Sequence, residues 1–451
     1  MDVFGSSGVR GVVNEGLTPT LVLRIAQAAG TVWDHDRAAI ARDTRVSGHM
    51  FADAAASGLA SVGTTVERLG VTPTPAAQYY AERESVPVVL ITASHNPPQF
   101  NGVKLVGRDG AGLPVDRLER IERVLIEESF GTVDWHGIGG HQRVDGVGEA
   151  YVEDVRSAVD RERIAAGALT VALDPGHGAG CATTPRLLRD LGCDVRTVNA
   201  QPDGHFPARA SEPAGEALDD LCRLVEATDA DLGIAHDGDA DRAVFVDEIG
   251  ARIDGSASLA ALAAAEIDSG DVMVSAVNVS QCVVDAVQAA GGELALTPIG
   301  ATHLSSRVRE LQAADQSVPI AGEGNGGVFF PPYRLARDGA YTAARFLELV
   351  ADAPASSVVE PYDDYRFVQR NFSYDDENQR EAMLDAAEEW VRAQDAPIDT
   401  KDGYRVDFGD AWALVRPSGT EPLVRAYAEA ADGDRAESLI DSLTTAIDAS
   451  H

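Results

Sequence analysis

Apolar and polar positions along the chain follow two alternating spacings. Short apolar runs, such as VPVVLI at 86–91, indicate strands buried on both faces of a parallel sheet, and the amphipathic segments between them indicate helices. This alternation restarts with a strand at 169 and again near 271, which predicts three α/β units in series. The predicted strands include 37–43, 64–70, 86–92, 193–198, 230–236, 271–277, 292–297 and 318–323, and the predicted helices are 49–62, 74–84, 183–191, 216–228, 280–290 and 302–313.

The pattern changes near residue 365. The segments RFVQRNFSYD, GYRVDFG and AWALVRP alternate with period two, as antiparallel strands do, and helices are predicted near 378–393 and 433–449. This indicates a small α+β domain at the end of the chain. Stretches rich in Gly, Pro or polar residues separate the units, and the predicted domains are 1–147, 148–252, 253–358 and 359–451.

Charge and composition exclude several functional classes. The 451 residues include 72 acidic and 37 basic side chains, a formal net charge of −35, and such a surface repels nucleic acid and anionic membranes. No apolar stretch approaches the ~20 residues of a membrane span. We expect no signal peptide, and the four cysteines are far apart without a CxxC pair. These features predict a cytoplasmic protein with reduced cysteines, monomeric or a small homo-oligomer, that binds neither nucleic acid nor membrane.

Lysine is scarce among the basic residues. Only Lys104 and Lys401 are lysines, and the rest are arginines. An acidic chain with few lysines indicates a cytoplasm of high salt, although a GC-rich genome also favours arginine. Because arginine cannot readily give up a proton and has a different shape, a retained lysine near a reactive group indicates a specific need for lysine. The alternative is chance survival.

The segment TASHNPPQFNGVKL, at 92–105, follows the apolar run at 86–91. Open parallel sheets place their ligand sites at the carboxyl ends of strands, where Ser94, His95 and Asn96 are found here. The two prolines fix the loop and prevent the chain from continuing as sheet. Ser94 is therefore a candidate nucleophile. The alternative is an Asn/Pro turn in which serine acts as a cap.

Three aspartates alternate in AHDGDADRAV, directly after the predicted strand at 230–236. Asp237, Asp239 and Asp241 repel one another unless a cation lies among them, and an all-oxygen ligand set favours Mg²⁺ over Zn²⁺. A Ca²⁺ loop of the EF-hand type is excluded, because Arg242 occupies the place that requires glycine. A solvated acidic turn is the alternative.

Three further segments have residue types suited to sugar phosphates, although each could also be a structural turn. Glu323 and Asn325 in IAGEGNGGVFF are suitable partners for vicinal hydroxyls, beside glycines that let backbone approach a ligand. The segment VRPSGTEPLVRAY offers donors for a phosphate, and FGSSGVRG places an arginine beside a turn. The candidate residues of these last two segments are Arg416, Ser418, Gly419, Thr420, Arg425 and Arg10.

Together these segments resemble the α-D-phosphohexomutase superfamily. FGSSGVRG, TASHNPP, DGDADR, GEGNGG and RPSGTEP occur in the family's order across the whole chain. The pattern is most similar to the archaeal group of phosphoglucosamine mutases, phosphomannomutases and phosphoglucomutases, including NAQPDGHFPARASEP at 199–213. The resemblance implies an α/β fold with three related α/β domains and a C-terminal α+β domain around a central cleft. It also implies an isomerase that interconverts hexose 6-phosphate and hexose 1-phosphate, of glucosamine, mannose or glucose.

The resemblance also implies roles for the candidate residues. Ser94 would carry a phosphoryl group, and one Mg²⁺ would be held by that group and by Asp237, Asp239 and Asp241. Transfer would form a bisphosphorylated sugar, and a hexose 1,6-bisphosphate is implied as an activator. Lys104 would be a general acid/base or charge stabiliser, with Arg10 and His95 supporting the phosphoserine. Arg242, Glu323 and Asn325 would bind the substrate, and the residues that would hold its non-reacting phosphate are Arg416, Ser418, Gly419, Thr420 and Arg425.

Two departures leave the sugar undetermined. Asn325 stands where the family often has serine, and Ala301 stands where some relatives have histidine, with His303 two residues further on. Two other functions also stay open. A Mg²⁺-dependent phosphatase could use Ser94 and lose the phosphoryl group to water, although the full set of sugar and phosphate segments argues against it. A non-catalytic phosphosugar-binding protein is disfavoured because Ser94 and the three aspartates are all present.

Overall fold

Four β-sheets follow one another along the chain, and each is associated with its own helices. The computed structural model describes residues 4–5, 8–33, 35–418 and 423–449. The first three sheets contain parallel strands joined through helices, whereas the fourth is entirely antiparallel. The predicted fold class, three α/β domains followed by an α+β domain, is confirmed.

Domain I is built on a six-stranded sheet. Its strands are β1 (Val9–Val12), β2 (Arg37–Arg42), β3 (Thr65–Val71), β4 (Val88–Ile91), β5 (Phe100–Val106) and β6 (His141–Arg143), and its helices are α1 (Pro19–Trp33), α2 (Gly48–Ser61), α3 (Thr74–Glu84) and α4 (Val115–Ile126). The strand order is β1-β5-β4-β2-β3-β6, with β4 parallel to β2 and antiparallel to β5. All four residues of β4 are buried, as its apolar sequence predicts.

Domain II contains a four-stranded sheet of order β10-β9-β7-β8. Helices α5 (Val147–Ser157) and α6 (Arg161–Ala166) lead into it, followed by β7 (Thr170–Asp174), α7 (Thr184–Asp190), β8 (Asp194–Thr197), α8 (Asp219–Thr228), β9 (Leu232–Ala235) and β10 (Val244–Val246). Strands β7, β8 and β9 are parallel, and β10 is antiparallel to β9. The turn from β9 to β10 contains the three aspartates.

Domain III has a five-stranded sheet of order β12-β11-β13-β14-β15. Its elements are α9 (Gly255–Glu266), β11 (Val272–Ala276), α10 (Gln281–Ala289), β12 (Glu293–Thr297), α11 (Ala301–Ala313), β13 (Ala321–Glu323), β14 (Gly327–Phe330), β15 (Arg334–Arg337), α12 (Gly339–Val350) and α13 (Ala355–Val359). The carboxylate of Asp338 accepts a hydrogen bond from the backbone N–H of Tyr341 and so caps the start of α12.

Domain IV is an antiparallel sheet of order β16-β20-β19-β18-β17 with two helices. Its elements are β16 (Arg366–Ser373), α14 (Glu377–Arg392), β17 (Ile398–Asp399), β18 (Tyr404–Asp407), β19 (Ala411–Pro417), β20 (Leu423–Ala430) and α15 (Gly433–Asp448). Apolar residues of the sheet and the two helices form a separate core. The predicted α+β character is therefore observed, with β20 as an additional strand near the middle of the sheet.

The structure contains strands and helices that the sequence analysis did not predict. The predicted segments are present with shifted ends, and 216–228 consists of a 3₁₀ turn, Gly215–Leu218, followed by α8. Strands β1, β5, β6, β10, β14, β15, β17 and β20 were missed, and so were helices α1, α4, α5, α6, α9, α12 and α13. The missed strands are short or contain polar and glycine residues, so their sequences lack the continuous apolar run that marks a buried parallel strand.

The domains differ in how closely they are joined. Domains II and III share one hydrophobic core, in which Phe245 and Phe346 stack with ring centroids 4.2 Å apart. Domain IV contacts domain III through a smaller cluster that includes Val277 and Trp412. At this contact the buried Glu429 accepts hydrogen bonds from the backbone N–H of Gln281 at 2.6 Å and from the indole of Trp412 at 3.1 Å. Within the described part of the chain, no helix is both long and apolar enough to cross a bilayer.

Candidate active site

Ser94 lies in the loop between β4 and β5 and is 1% exposed. Its backbone has φ 51°, in the left-handed region that a non-glycine residue seldom adopts, which is typical of a functional loop held by its surroundings. The side-chain oxygen donates a hydrogen bond to Oδ2 of Asp237 at 2.5 Å, and the backbone N–H donates to Thr92 Oγ1 at 2.9 Å. The serine of domain I therefore contacts an aspartate of domain II.

Arg45 holds the serine loop in this conformation. Its fully buried guanidinium donates to the backbone carbonyl of Ser94 at 2.9 Å and to three others in the loop, those of Asn96, Pro97 and Phe100. The same group pairs with Asp43 at 3.0 Å. The carbonyls of a loop have no strand or helix partners, and here the one arginine side chain donates hydrogen bonds to four of these carbonyls.

The three aspartates form the only group of potential metal ligands that the described residues contain. Asp237, Asp239 and Asp241 are buried, and one ligand oxygen from each can be chosen so that all three lie within 4.8 Å of one another. In each carboxylate, Oδ1 is buried without a hydrogen-bond partner. Buried carboxylate oxygens are costly without a partner, and a hard cation such as Mg²⁺ supplies one. The residues present therefore fit a metal ion.

The second oxygen of each carboxylate is bound to the protein. The ammonium of Lys104, on β5, donates to Oδ2 of Asp239 at 2.8 Å and to Oδ2 of Asp241 at 3.1 Å. Thr74, at the start of α3, donates its hydroxyl to the same Asp239 oxygen at 2.7 Å and its backbone N–H to the Asp239 carbonyl at 2.9 Å. Domain I thus fixes the orientation of aspartates that belong to domain II.

This arrangement shifts the pKa values of the cluster in opposite directions. Burial first, and then the charges of Asp239 and Asp241, raises the pKa of Asp237 well above its ordinary value. Burial alone would raise the pKa of Asp239, but Lys104 outweighs burial and holds that pKa below its usual range. Burial would likewise lower the pKa of Lys104, but the two carboxylates outweigh it and the pKa is raised. Lys104 is accordingly an ammonium ion in this arrangement.

Arg10, His95 and Arg242 surround the serine on its other sides. Arg10 donates to the side chain of Asn96 at 2.7 Å. Burial, and then the charges of Arg242 and Arg10, lowers the pKa of His95 to about 2, so its ring is neutral at physiological pH. Nδ1 of that ring therefore accepts a hydrogen bond from Arg242 at 2.9 Å, and it lies 3.4 Å from the Ser94 hydroxyl.

The sugar-loop candidates lie at the end of β13. Glu323 is 5% exposed and forms an ion pair with Arg337, the last residue of β15. Asn325 is exposed, and its Oδ1 accepts a hydrogen bond from the backbone N–H of Gly327 at 3.0 Å. Arg337 was not among the residues selected from the sequence, because nothing in YRLARDGAY distinguishes it from a surface arginine.

A cavity of about 100 Å³ joins these groups. It is lined by residues of domains I, II and III, among them Arg10, Thr74, Gln78, Ser94, Lys104, Asp241, Arg242, Thr302, Ser305 and Arg337. Four cationic side chains therefore meet next to the serine, in a protein whose formal net charge is −35. Such a cavity suits an anionic group.

The described residues of domain IV that are candidates for binding phosphate are not among those that line the cavity next to Ser94. The guanidinium of Arg416 pairs with Asp402 at 3.0 Å, and Asp402 also accepts from the backbone N–H of Ile299, which precedes α11. Ser418 donates its backbone N–H to Leu423, and Arg425 faces Arg416 across β19 and β20. Gly419 and Thr420 lie outside the described residues. Among the described residues, the partner of the Arg416 guanidinium is Asp402, and Arg416 does not contact Ser94.

His303 also lies away from the serine. It is on α11, is half-buried, and lines a separate groove together with Asp116 and Lys401. Its pKa is lowered by burial. The structure thus brings together the residues proposed for domains I and II and connects Glu323 to them through Arg337, whereas His303 and the domain IV residues are not part of this cluster.

The sheet architecture and the serine–aspartate cluster define a four-domain phosphohexomutase. Family descriptions that read "Phosphoglucomutase/phosphomannomutase, alpha/beta/alpha domain" I, II and III match residues 1–132, 149–250 and 254–365, and the C-terminal domain of the same family matches residues 372–446. The chain belongs to the phosphoglucomutase/phosphomannomutase family. It is accordingly an isomerase of the intramolecular phosphotransferase type.

Relatives match over nearly the whole chain. The chain is similar to a phosphoglucomutase/phosphomannomutase of Thermococcus kodakarensis, with 38% identity over 97% of both chains. It is 37% identical to a probable phosphoglucosamine mutase of Methanocella arvoryzae, over 97% of this chain and 96% of that protein. A crystal structure of a phosphoglucomutase/phosphomannomutase family protein from Burkholderia thailandensis superimposes with a TM-score of 0.85 at 28% identity, over 99% of this chain and 97% of the other.

Proposed function

We propose that the protein interconverts hexose 6-phosphate and hexose 1-phosphate through a phosphoryl group carried on Ser94. The observation that carries the proposal is the contact between the Ser94 hydroxyl and Asp237, beside three buried aspartate oxygens that have no partner. A nucleophile and a ready cation site are thus adjacent. Four cationic side chains line the same cavity.

Phosphoryl transfer depends mainly on positioning and charge stabilisation. Asp237, Asp239 and Asp241 would hold one Mg²⁺ through their unpartnered oxygens, and the ion would neutralise charge on the transferring group. Arg10 and Arg242 would hold the phosphoryl oxygens on Ser94. His95, being neutral, would orient Arg242 through Nδ1.

The chemistry proceeds in two balanced steps. In the first, the bond between phosphorus and Oγ of Ser94 breaks while a bond to a hydroxyl oxygen of the hexose monophosphate forms, and the proton lost by that hydroxyl ends on Oγ of Ser94. The bisphosphorylated sugar then presents its other phosphate to Ser94, and the reverse transfer regenerates the phosphoserine. Lys104 is the proposed acid/base or charge-stabilising group, since it borders the cavity and already contacts two of the aspartates.

The rest of the cleft would recognise the sugar phosphate. Glu323 is the last residue of β13 and Asn325 follows that strand, and both are the proposed partners of the sugar hydroxyls. The residues proposed to hold the non-reacting phosphate are Arg416, Ser418, Gly419, Thr420 and Arg425. The substrates proposed are the phosphates of glucosamine and mannose, with glucose phosphate also accepted, and a hexose 1,6-bisphosphate would prime Ser94. These assignments rest on the sequence motifs and on the names of the relatives.

A phosphorus NMR time course tests the proposal. The protein is given Mg²⁺ in high KCl with glucosamine, mannose or glucose 6-phosphate in parallel reactions. A sugar 1-phosphate signal without inorganic phosphate is expected, and the relative rates rank the sugars. Inorganic phosphate as the sole product would support the alternative, a Mg²⁺-dependent phosphatase that uses the same serine.

A further inference from the structure

Three arginines, one from each of domains I, II and III, have a hydrogen-bond donor without an acceptor next to Ser94. Arg10, Arg242 and Arg337 all line the cavity next to the serine. In each of them Nε is buried and has no hydrogen-bond partner. A buried N–H donor without an acceptor is costly, so three around one cavity indicate an acceptor that binds there.

Arg337 is the unexpected member of this set. It is 8% exposed, and its position is fixed at both ends of the side chain. Nη2 is held by the ion pair with Glu323, and the following residue, Asp338, caps α12. Gly327 makes the approach possible, because a Cβ at that position would lie 2.8 Å from Nε of Arg337. With Nη2 engaged by Glu323, Nε is a buried donor of this guanidinium that has no partner.

The burial of Arg337 beside two other guanidinium groups favours an anionic acceptor over a neutral hydroxyl. Burial lowers the pKa of Arg337 to about 10; the carboxylates of Asp241 and Asp237 act against this shift, and the charges of Arg242 and Arg10 act with it. An anion bound among the three guanidinium groups would relieve both the desolvation and the mutual repulsion. A phosphoryl dianion has three terminal oxygens, and each can accept one of the three unpartnered N–H groups.

We infer that Arg337 binds an oxygen of the transferring phosphoryl group and, through Glu323, links that group to the sugar-binding loop. This inference rests on the proposed function for the identity of the anion. It assigns a catalytic contact to a strand end of domain III. A substrate that engages Glu323 would therefore act on the same side chain that stabilises the phosphoryl group.

The test is phosphate binding to a protein that cannot be phosphorylated. In a Ser94→Ala background with Mg²⁺ and high KCl, inorganic phosphate binding is measured by calorimetry, with and without Arg337→Lys. Lysine retains the positive charge but lacks the Nε–H, so the dissociation constant is expected to rise about tenfold, as for the loss of a charge-assisted hydrogen bond. Arg334→Lys is the matched control, because Arg334 is buried on the same strand but pairs with Glu82 and Asp154 outside the cavity. Its phosphate affinity is expected to stay within twofold of the parent.

A second measurement distinguishes the loss of the contact between Arg337 and the phosphoryl group from a failure of the variant to fold. With Ser94 intact, Arg337→Lys is expected to lower kcat more than it changes KM, because the contact is made to the transferring group. If Arg337→Lys does not fold, Gly327→Ala displaces the guanidinium instead and is expected to weaken phosphate binding in the same way. Unchanged phosphate affinity and unchanged kcat in a folded variant would overturn the inference. A wild-type protein that binds phosphate through Arg337 but isomerises no hexose phosphate would instead contradict the proposed function alone.

Discussion

Nζ of Lys104 lies 2.8 Å from Oδ2 of Asp239, so a cationic side chain contacts a carboxylate that we propose to hold a metal ion. The two groups belong to different domains and are both largely buried. The contact uses Oδ2 of Asp239, whereas Oδ1 has no partner. One carboxylate can therefore contact the lysine and a metal ion at the same time.

Lys104→Arg tests whether this position requires lysine. The substitution keeps the charge, but the flat guanidinium fills a different space and cannot give up a proton in practice. We expect kcat to fall at least tenfold. Lys401→Arg is the control, because Lys401 is exposed, pairs with Asp399 and is the other lysine of the chain. Near-normal turnover in Lys104→Arg would contradict the inference, drawn from the scarcity of lysine in this chain, that position 104 requires lysine.

Asp239→Asn tests the metal assignment. The amide has no negative charge, and its oxygen is a weaker ligand for a hard cation than a carboxylate. We expect the Mg²⁺ concentration needed for half-maximal turnover, and the dissociation constant measured by calorimetry, to rise at least tenfold. Asp53→Asn changes an exposed aspartate paired with Arg68 and should leave both values unchanged. An unaltered Mg²⁺ dependence in Asp239→Asn would rule out this ligand.

Thr74→Val tests the contact between domains I and II at the metal cluster. Valine keeps the shape of the side chain but removes the hydroxyl that orients Asp239, while the backbone hydrogen bond stays. We expect Mg²⁺ affinity to fall by about three- to tenfold, as when the outer partner of a metal ligand is lost. Thr72→Val serves as control, since the Thr72 hydroxyl donates only to the backbone of Leu69. Equal affinities in the two variants would show that the Thr74 hydroxyl does not orient the ligand.

Arg45→Met tests whether the serine loop depends on the buried guanidinium. The substitution leaves four loop carbonyls and the carboxylate of Asp43 without their partner. Breaking a buried charge pair in this way costs about 3–5 kcal/mol. We expect a lower free energy of unfolding in urea and a loss of most turnover even where the variant is folded. Arg68→Met, at an exposed pair, should change stability by less than about 1 kcal/mol.

Glu429→Gln tests the contact between domains III and IV. Burial raises the pKa of Glu429, so the folded protein binds a proton that the unfolded chain has released. Stability from this site is therefore present below the ordinary glutamate pKa, 4.5, and is lost as pH rises through the raised value. The amide keeps an acceptor for Gln281 and Trp412 but does not ionise. We expect the variant to gain stability relative to wild type as pH rises above 4.5, measured by thermal unfolding in high KCl.

Glu128→Gln is the matched control for that experiment, because Glu128 is exposed and pairs with Arg24 on the surface. Its stability relative to wild type should not change over the same pH range. A parallel pH response of Glu429→Gln and wild type would show that the buried carboxyl does not titrate in this window.

The sequence was most informative where chemistry is local. Asp237, Asp239 and Asp241 alternate within one turn after a buried strand, so their proximity follows from the strand end alone. The position of Ser94 at the end of β4 was predictable for the same reason. The buried strands were predictable because they are continuous apolar runs, whereas β14 and β15 were not, since they are short and contain glycine and arginine.

The residues that the sequence did not reveal act across domain boundaries. Arg45, Thr74 and Arg337 lie far from Ser94 or the aspartates in sequence and reach them only after the domains pack. Arg45 lies in the segment ARDTRVSG at 41–48, and nothing in that segment distinguishes a buried arginine from a surface one. Periodicity reports the faces of single elements, and it contains no information on which elements meet.

The boundary between domains I and II is crossed by hydrogen bonds in both directions. Thr74 reaches from the first domain to Asp239, and Ser211 reaches back to the carbonyls of His95 and Asn96 at 2.8 and 2.7 Å. A chimera that takes these two domains from different homologues must therefore match both contacts to retain a working serine loop. Recombination in evolution is subject to the same condition, so the two domains are expected to be inherited together.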